Sequence, residues 1–110
     1  MSTEKILLTS LIFIAFIGFT NEFHKKISKL NEKERIEFFE NYLVKNGDVC
    51  DVQETFLQGY NKTDDGYFWN VKCKRGESLA LYILPDGNVR ILECSILAQL
   101  DLNCFEKLED

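Results

Sequence analysis

The stretch Tyr67–Cys94 constrains the fold more than any other part of the chain. It contains three short runs rich in aromatic and β-branched residues, separated by the turn signals Arg75-Gly76 and Asp86-Gly87. Such runs, joined by turns that contain glycine, are typical of a three-stranded antiparallel meander. We therefore expect the rest of the chain to pack on this sheet or to tether it.

The register of the meander follows if both hairpins have two-residue turns. Val71 then faces Ala80, and Leu81 faces Leu92. Because side chains alternate between the two faces of a sheet, the first face is apolar and should receive a helix. This face carries Tyr67, Trp69, Val71, Cys73, Ala80, Tyr82, Leu84, Val89 and Ile91. The second face is half apolar and half charged, and it carries Phe68, Asn70, Lys72, Lys74, Leu79, Leu81, Ile83, Arg90, Leu92 and Cys94.

An amphipathic helix is predicted before the sheet. Asn31 and Glu34 have the spacing of a capping box, and apolar residues recur at helical spacing at Ile36, Phe39 and Leu43. Asn46-Gly47 is a typical helix end, because glycine tolerates the left-handed conformation. The apolar side of this helix is expected to cover the first face of the sheet.

Two further elements complete the predicted domain. Val49–Leu57 favours an edge strand, whose pairing with a second copy would give a dimer. After the meander, a short helix capped by Ser95 is expected, followed by a segment that folds back. The apolar residues that would cover the second face are Ile96, Leu97, Leu100, Leu102 and Phe105.

The loop Gly59–Gly66 contains two local patterns. Asn61-Lys62-Thr63 matches an N-glycosylation acceptor, which matters only in a host that glycosylates secreted proteins. Asp64 and Asp65 suggest a calcium site, but the spaced carboxylates of an EF-hand loop are missing, so we interpret the pair as part of a turn.

The chain is long enough for one small domain. With 110 residues, 45% of them hydrophobic and 28% charged, it has the composition of a globular protein. We predict an α+β fold at 31–110, with one amphipathic helix on a three- or four-stranded antiparallel sheet. Residues 1–20 are expected to be a signal peptide or membrane anchor, and 21–30 a linker.

The segment Ile6–Thr20 supports the prediction of export. It is apolar but shorter than the roughly 20 residues that span a bilayer, so a cleaved secretory signal fits better than an uncleaved anchor. Gly18-Phe19-Thr20 offers a weak cleavage site. A buried helix of a soluble domain is the third alternative. Against export, several basic residues follow the segment, and the positive-inside rule would keep that flank in the cytoplasm.

Four cysteines, Cys50, Cys73, Cys94 and Cys104, favour disulfides in an exported chain. In the predicted register Cys73 and Cys94 project from opposite faces, so we expect Cys50–Cys73 and Cys94–Cys104. A Cys-ligated structural zinc site is the alternative, although the scattered spacing does not favour it.

Sequence patterns of catalysis are absent. No phosphate-binding glycine loop, Gly-x-Ser-x-Gly or His-Glu-x-x-His occurs, and no residue suggests a cofactor. His24 is the only histidine and is expected in the exposed linker, while Glu37 and Glu40 are interpreted as surface charge. Trp69 and Tyr82, a predicted cross-strand pair, are interpreted as core. A net charge of −5 argues against nucleic-acid binding.

The order helix, strand, meander resembles PepSY-type or β-lactamase-inhibitor-like modules. The resemblance spans roughly 31–94 and depends on Trp69, Val71, the Asp86-Gly87 turn and Val89. It implies a small exported or membrane-anchored α+β domain with a non-catalytic role, such as binding or restraining a partner protein in the periplasm.

These observations lead to three functional hypotheses. The first is an exported, disulfide-stabilised module that binds a protein or peptide through a surface bearing Lys72, Lys74 and Arg90. The second is an accessory subunit of a membrane complex, held by an uncleaved Ile6–Thr20 helix. The third is an enzyme, for which the sequence shows no catalytic pattern, or a small metal-binding protein with Cys-ligated zinc.

Overall fold

A four-stranded antiparallel sheet and three helices form the fold in a computed structural model that describes residues 21–108. The elements in chain order are α1 (Glu22–Ser28), α2 (Glu32–Lys45), β1 (Val52–Asn61), β2 (Gly66–Cys73), β3 (Leu79–Ile83), β4 (Val89–Glu93) and α3 (Cys94–Ala98). The sheet order β1-β2-β3-β4 follows the chain, so β1 and β4 are its two edges. The predicted α+β class and antiparallel sheet are confirmed, whereas the segment Ile6–Thr20 lies outside the described residues.

Helix α2 begins and ends as predicted. The side chain of Asn31 accepts a hydrogen bond from the backbone N–H of Glu34, and the Glu34 carboxylate accepts one from the N–H of Asn31, each at 2.9 Å. The helix ends at Lys45, and Gly47 follows with φ +84°. Phe39 and Leu43 are fully buried against the sheet.

Both predicted hairpin registers are wrong by one residue. Val71 pairs with Leu79 rather than Ala80, and Leu81 pairs with Ile91 rather than Leu92. In the second hairpin, the Leu84 N–H donates to the Asn88 carbonyl, so Pro85 joins the Asp86-Gly87 turn in a three-residue loop.

The register shift turns β3 over, because a one-residue slip moves every side chain to the opposite face. Leu79, Leu81 and Ile83 therefore face the helices, together with Trp69, Val71, Val89 and Ile91 from the neighbouring strands. Ala80 and Tyr82 lie on the second face with Phe68. The predicted Trp69–Tyr82 pair does not form: the Tyr82 ring stacks on Phe68, with ring centroids 4.1 Å apart.

The segment 21–30 differs from the linker that the sequence suggests. It contains α1, whose Ile27 is fully buried in the helix-side core. Phe23 makes edge contacts with Phe38 and Tyr42 of α2, at centroid distances of 5.6 and 5.5 Å. The two apolar residues of α1 lie four positions apart, which is enough to dock one short helix but too little to stand out as a periodic pattern.

The second face of the sheet is covered by the chain's own C-terminal segment 101–108. Leu97, Leu102 and Leu108 pack there, as the sequence predicts for the first two. Helix α3 begins at Cys94, and Ser95 is not its cap; the Ser95 N–H instead donates to the Glu77 carboxylate at 2.9 Å. Two of the residues predicted to cover this face, Ile96 and Leu100, are exposed instead.

A buried pair of amide side chains ties that segment to the sheet. Gln58 lies at a bulge of β1 and Asn70 lies on β2, and both are fully or almost fully buried. Asn70 donates to Gln58 at 3.0 Å and accepts from the Phe105 N–H at 2.8 Å, while Gln58 donates to the carbonyl of Asn103 at 2.8 Å.

Both predicted disulfides are confirmed. Cys50–Cys73 joins the start of β1 to the end of β2 on the helix side, and Cys94–Cys104 fastens the C-terminal segment to the second face. Their loops span 23 and 10 residues. The covalent links thus close the same end of the sheet that carries the start of β1.

Candidate functional site

The three basic residues proposed for partner binding do not form one surface. Lys72 lies beside Glu54, with 3.8 Å between its ammonium and the carboxylate. Arg90 pairs with Tyr82, which pairs with Phe68 on β2. Because Phe68 is four residues from Lys72, Arg90 and Lys72 are separated by about 13 Å along the strand direction. Lys74 follows the end of β2 beyond Lys72, so Arg90 is the only one of the three that lies on an edge strand.

His24, expected in an exposed linker, is instead half-buried on α1. Its Nδ1 accepts a hydrogen bond from the Trp69 indole N–H at 3.0 Å, and its ring stacks on Tyr67 with centroids 3.5 Å apart. Burial lowers the pKa of His24 below 6.5. These contacts give His24 a role in docking α1 on the sheet.

Asp64 and Asp65 bind tyrosines on opposite sides of the sheet. Asp64 accepts a hydrogen bond from the Tyr82 hydroxyl, and Asp65 accepts one from the Tyr60 hydroxyl. Burial, followed by the bond to Asp64, raises the pKa of Tyr82 to about 12. The bond to Asp65 is the main cause that raises the pKa of Tyr60. The turn interpretation of this loop is confirmed, and both carboxylates hold it in place.

The glycosylation pattern lies at the start of the same turn. Asn61 Nδ2 donates to the Tyr82 hydroxyl at 3.2 Å, and its Oδ1 accepts from the Thr63 N–H at 3.1 Å. The amide nitrogen to which a glycan would be attached is therefore engaged within the fold.

Neither a metal cluster nor a spanning helix occurs in the described part of the chain. Within residues 21–108, no group of three or more His, Cys, Asp or Glu side chains has the arrangement of a metal site. All four cysteines are paired in disulfides. None of the helices between residues 21 and 108 has the length and apolar character needed to cross a membrane.

The edge of the sheet at β1 is closed by side chains of α2. The backbone N–H of Val52 donates to the Glu40 carboxylate at 2.9 Å, and the N–H of Thr55 donates to that of Glu32 at 3.1 Å. The Glu32 carboxylate also accepts from the Thr55 hydroxyl, which receives a further bond from Arg35. Because these two outward donors are occupied, the first half of β1 is a poor template for another strand, and the dimer contact considered from the sequence stays a prediction.

The opposite edge, at β4, is open in the described structure. Leu84–Asn88 and Ser78–Cys94 are hydrogen-bonded pairs, so the ladder alternation places the N–H and C=O of Arg90 and Leu92 toward β3. The same alternation directs the N–H and C=O groups of Val89 and Ile91 and the N–H of Glu93 outward, whereas the carbonyl of Glu93, the N-cap of α3, accepts within the first turn of that helix. Among residues 21–108, no turn, loop or helix-cap backbone group hydrogen-bonds to these five outward groups.

Side chains along β4 add apolar surface to this open edge. Val89 and Ile91 are only partly buried on the helix side, and Arg90 and Glu93 are exposed. The position of β4 as the last strand of the meander is a sequence signal that identifies it as an edge. The closure of the other edge by Glu32 and Glu40 has no such signal, because the two residues lie in the chain far from the strand that they bind.

Comparison of the chain with protein-family models, curated proteins and solved structures found no match. The resemblance to PepSY-type and β-lactamase-inhibitor-like modules therefore stays a prediction. The structure itself describes the class of protein: a small α+β domain with two disulfides, one closed sheet edge and one open sheet edge.

Proposed function

We propose that the protein is an exported, non-catalytic binding module that accepts an extended segment of a partner protein as a fifth strand beside β4. The observation that carries this proposal is the difference between the two edges of the sheet. Carboxylates of α2 accept from two outward donors in the first half of β1, whereas the outward groups of Val89 and Ile91 and the N–H of Glu93 have no backbone partner in the described structure.

Strand addition suits the chemistry of this edge. Val89 and Ile91 present N–H and C=O groups, and Glu93 presents its N–H, at the two-residue spacing of a β-ladder, which an extended backbone can pair with. Each such bond contributes about 0.5–1.5 kcal/mol net. Burial of the exposed parts of Val89 and Ile91 by the added strand would contribute further.

The two disulfides support the proposed location. Structural disulfides persist in oxidising compartments and are rare in cytosolic proteins, so their presence here favours an exported protein. If the segment Ile6–Thr20 is retained, the module is anchored in the membrane. If the segment is cleaved, the module is released.

The polar residues that would be considered for catalysis have structural roles. His24 accepts from Trp69, Asp64 and Asp65 bind tyrosine hydroxyls, and Glu40 closes the β1 edge. These engagements support a binding role rather than acid–base chemistry.

Substitution of Glu93 by proline tests the proposal directly. Glu93 has φ −71°, close to the angle that proline requires, so Glu93→Pro removes one outward N–H without disturbing the pairing of β4 with β3. The tagged full-length chain is cross-linked in its native envelope, and the captured proteins are quantified. We expect capture of a defined partner by the wild type and at least about a tenfold loss with Glu93→Pro.

Glu93→Ala is the matched control, because it removes the same carboxylate but keeps the N–H. It should capture the partner as the wild type does. Equal capture by Glu93→Pro and the wild type, or no defined partner at all, would contradict strand addition at β4.

The basic residues provide a second test of the surface. Arg90 projects from β4, whereas Lys72 lies elsewhere and pairs with Glu54. Arg90→Glu is therefore expected to weaken capture, and Lys72→Glu to leave it unchanged. The reverse result would move the binding surface to the other end of the sheet.

A further inference from the structure

Two exposed apolar side chains lie just beyond the end of β4. Ile96, on α3, is 45% exposed, and Leu100, which follows that helix, is 66% exposed. Helix α3 begins at Cys94, directly after the last residue of β4, so these side chains follow the open edge in the chain. Leu97, between them, is buried on the second face and fixes the helix in this position.

A second copy of the chain would not cover these residues. In a two-fold antiparallel pairing centred on Ile91, all five residues of β4 overlap, with Val89 opposite Glu93 of the other copy. Each α3 would then lie beside the polar turn Pro85–Asn88 of the other copy. Self-association through β4 would therefore leave Ile96 and Leu100 in water.

We propose, on the basis of the function proposed above, that the partner segment is longer than β4 and has two parts. The first part pairs with β4 and carries apolar side chains at alternate positions, which pack beside Val89 and Ile91. The second part continues past Glu93 and places apolar side chains on Ile96 and Leu100. The partner is thus an extended segment of a protein. Its strand part has apolar side chains on one side, and the end that passes Glu93 is also apolar.

The backbone requirement selects an extended occupant. Among protein and peptide occupants, only another strand pairs along its length with the outward N–H and C=O groups at alternate residues of β4. The alternation of that strand then fixes which of its side chains reach the helix side, where Val89 and Ile91 contribute apolar surface. Specificity follows from these side-chain contacts, and affinity from the backbone pairing.

Selection of random peptides displayed on phage against the full-length protein tests this inference. The enriched peptides should share alternating apolar residues and an additional apolar residue near one end. Their synthetic versions should bind the Ile96→Ser/Leu100→Ser double variant at least about tenfold more weakly than the wild type. The double variant Val44→Ser/Val49→Ser is the matched control, because those side chains are also exposed, at 64% and 91%, but lie away from β4.

The outcomes separate this inference from the proposed function. Peptides that lose binding with Glu93→Pro but not with Ile96→Ser/Leu100→Ser would overturn the inference and leave strand addition standing. Peptides that bind Glu93→Pro as well as the wild type would overturn both. A dimer by sedimentation that Glu93→Pro dissociates would make a second copy the occupant and overturn the inference. The inference also fails if no peptide is enriched, whereas partner capture from the envelope decides the function separately.

Discussion

The indole N–H of Trp69 donates a hydrogen bond to Nδ1 of His24, with 3.0 Å between the two nitrogens. Indole can only donate, so this bond requires His24 Nδ1 to carry a lone pair. The contact joins α1 to the middle of the sheet, and the stacking of His24 on Tyr67 supports the same docking. The neutral form of His24 is therefore the one that the fold selects.

This relationship predicts a pH dependence of stability. Burial lowers the pKa of His24 in the folded chain below the 6.5 of the unfolded chain, so the unfolded state binds more protons between the two values. The contribution is fully present above pH 6.5 and is lost as the pH falls toward the lowered pKa. Urea unfolding measures this loss when it is followed from about pH 8 to about pH 4.5, an interval that covers the titration of histidine.

His24→Phe is the control for this prediction. Phenylalanine keeps a ring to stack on Tyr67 but cannot titrate, so the difference in unfolding free energy between wild type and variant should narrow as the pH falls. A difference that is independent of pH would contradict the role assigned to neutral His24.

The buried amide pair predicts that substitution of Asn70 lowers the free energy of unfolding. Asn70→Leu leaves the side-chain carbonyl of the buried Gln58 and the backbone N–H of Phe105 without their hydrogen bonds. We expect the unfolding free energy to fall by about 2–4 kcal/mol, measured by urea denaturation. Asn41→Leu, on the exposed side of α2, should change it by less than about 0.5 kcal/mol. Equal effects at the two sites would argue against the amide pair as the fastening of the C-terminal segment.

Gly66 is predicted to be intolerant of a side chain, because a Cβ there would clash with the ring of Tyr82. Gly66→Ala should destabilise the protein by about 1–3 kcal/mol. The double variant Gly66→Ala/Tyr82→Ala should lose about 1 kcal/mol or more less unfolding free energy than the sum of the two single variants, because the clash disappears with the ring. Additive costs would place the Tyr82 ring elsewhere.

The two disulfides are expected to differ in their reduction. Cys50 and Cys73 are buried, whereas Cys94 and Cys104 are partly exposed, so a dithiol reductant should open the Cys94–Cys104 bond first. Alkylation of the freed thiols followed by peptide mass analysis identifies the order. Removal of Cys50–Cys73 should cost about 0.7 kcal/mol more than removal of the other bond, because its loop is longer in the chain-entropy account. Prior reduction of Cys50–Cys73 would contradict the burial of that bond.

The sequence predicts the elements of this fold better than their register. The capping box of α2, the three strands of the meander and both disulfides follow from local patterns and from the alternation of β2. The turns do not. The first hairpin pairs Val71 with Leu79 and so turns β3 over relative to β2, and Pro85 lengthens the Asp86-Gly87 turn by one residue, which keeps Val89 and Ile91 on their predicted face. Helix α1 escapes prediction since only Phe23 and Ile27 mark its apolar side.

The candidate site is predictable only in part. Arg90 is among the residues proposed from the sequence, together with Lys72 and Lys74 of the second face, but the strands place Arg90 about 13 Å from Lys72. The difference between the two sheet edges arises from long-range contacts of Glu32 and Glu40 with β1, which no local pattern encodes.

Amide hydrogen exchange along β4 tests the central claim most directly. The full-length protein is followed by NMR in its native, oxidised form. We predict fast exchange for the outward N–H groups of Val89, Ile91 and Glu93, and slow exchange for those of Arg90 and Leu92 and for Val52 and Thr55 on the closed edge. Equal and slow exchange at all five residues of β4 would mean that its outer edge is already paired, and would contradict the account.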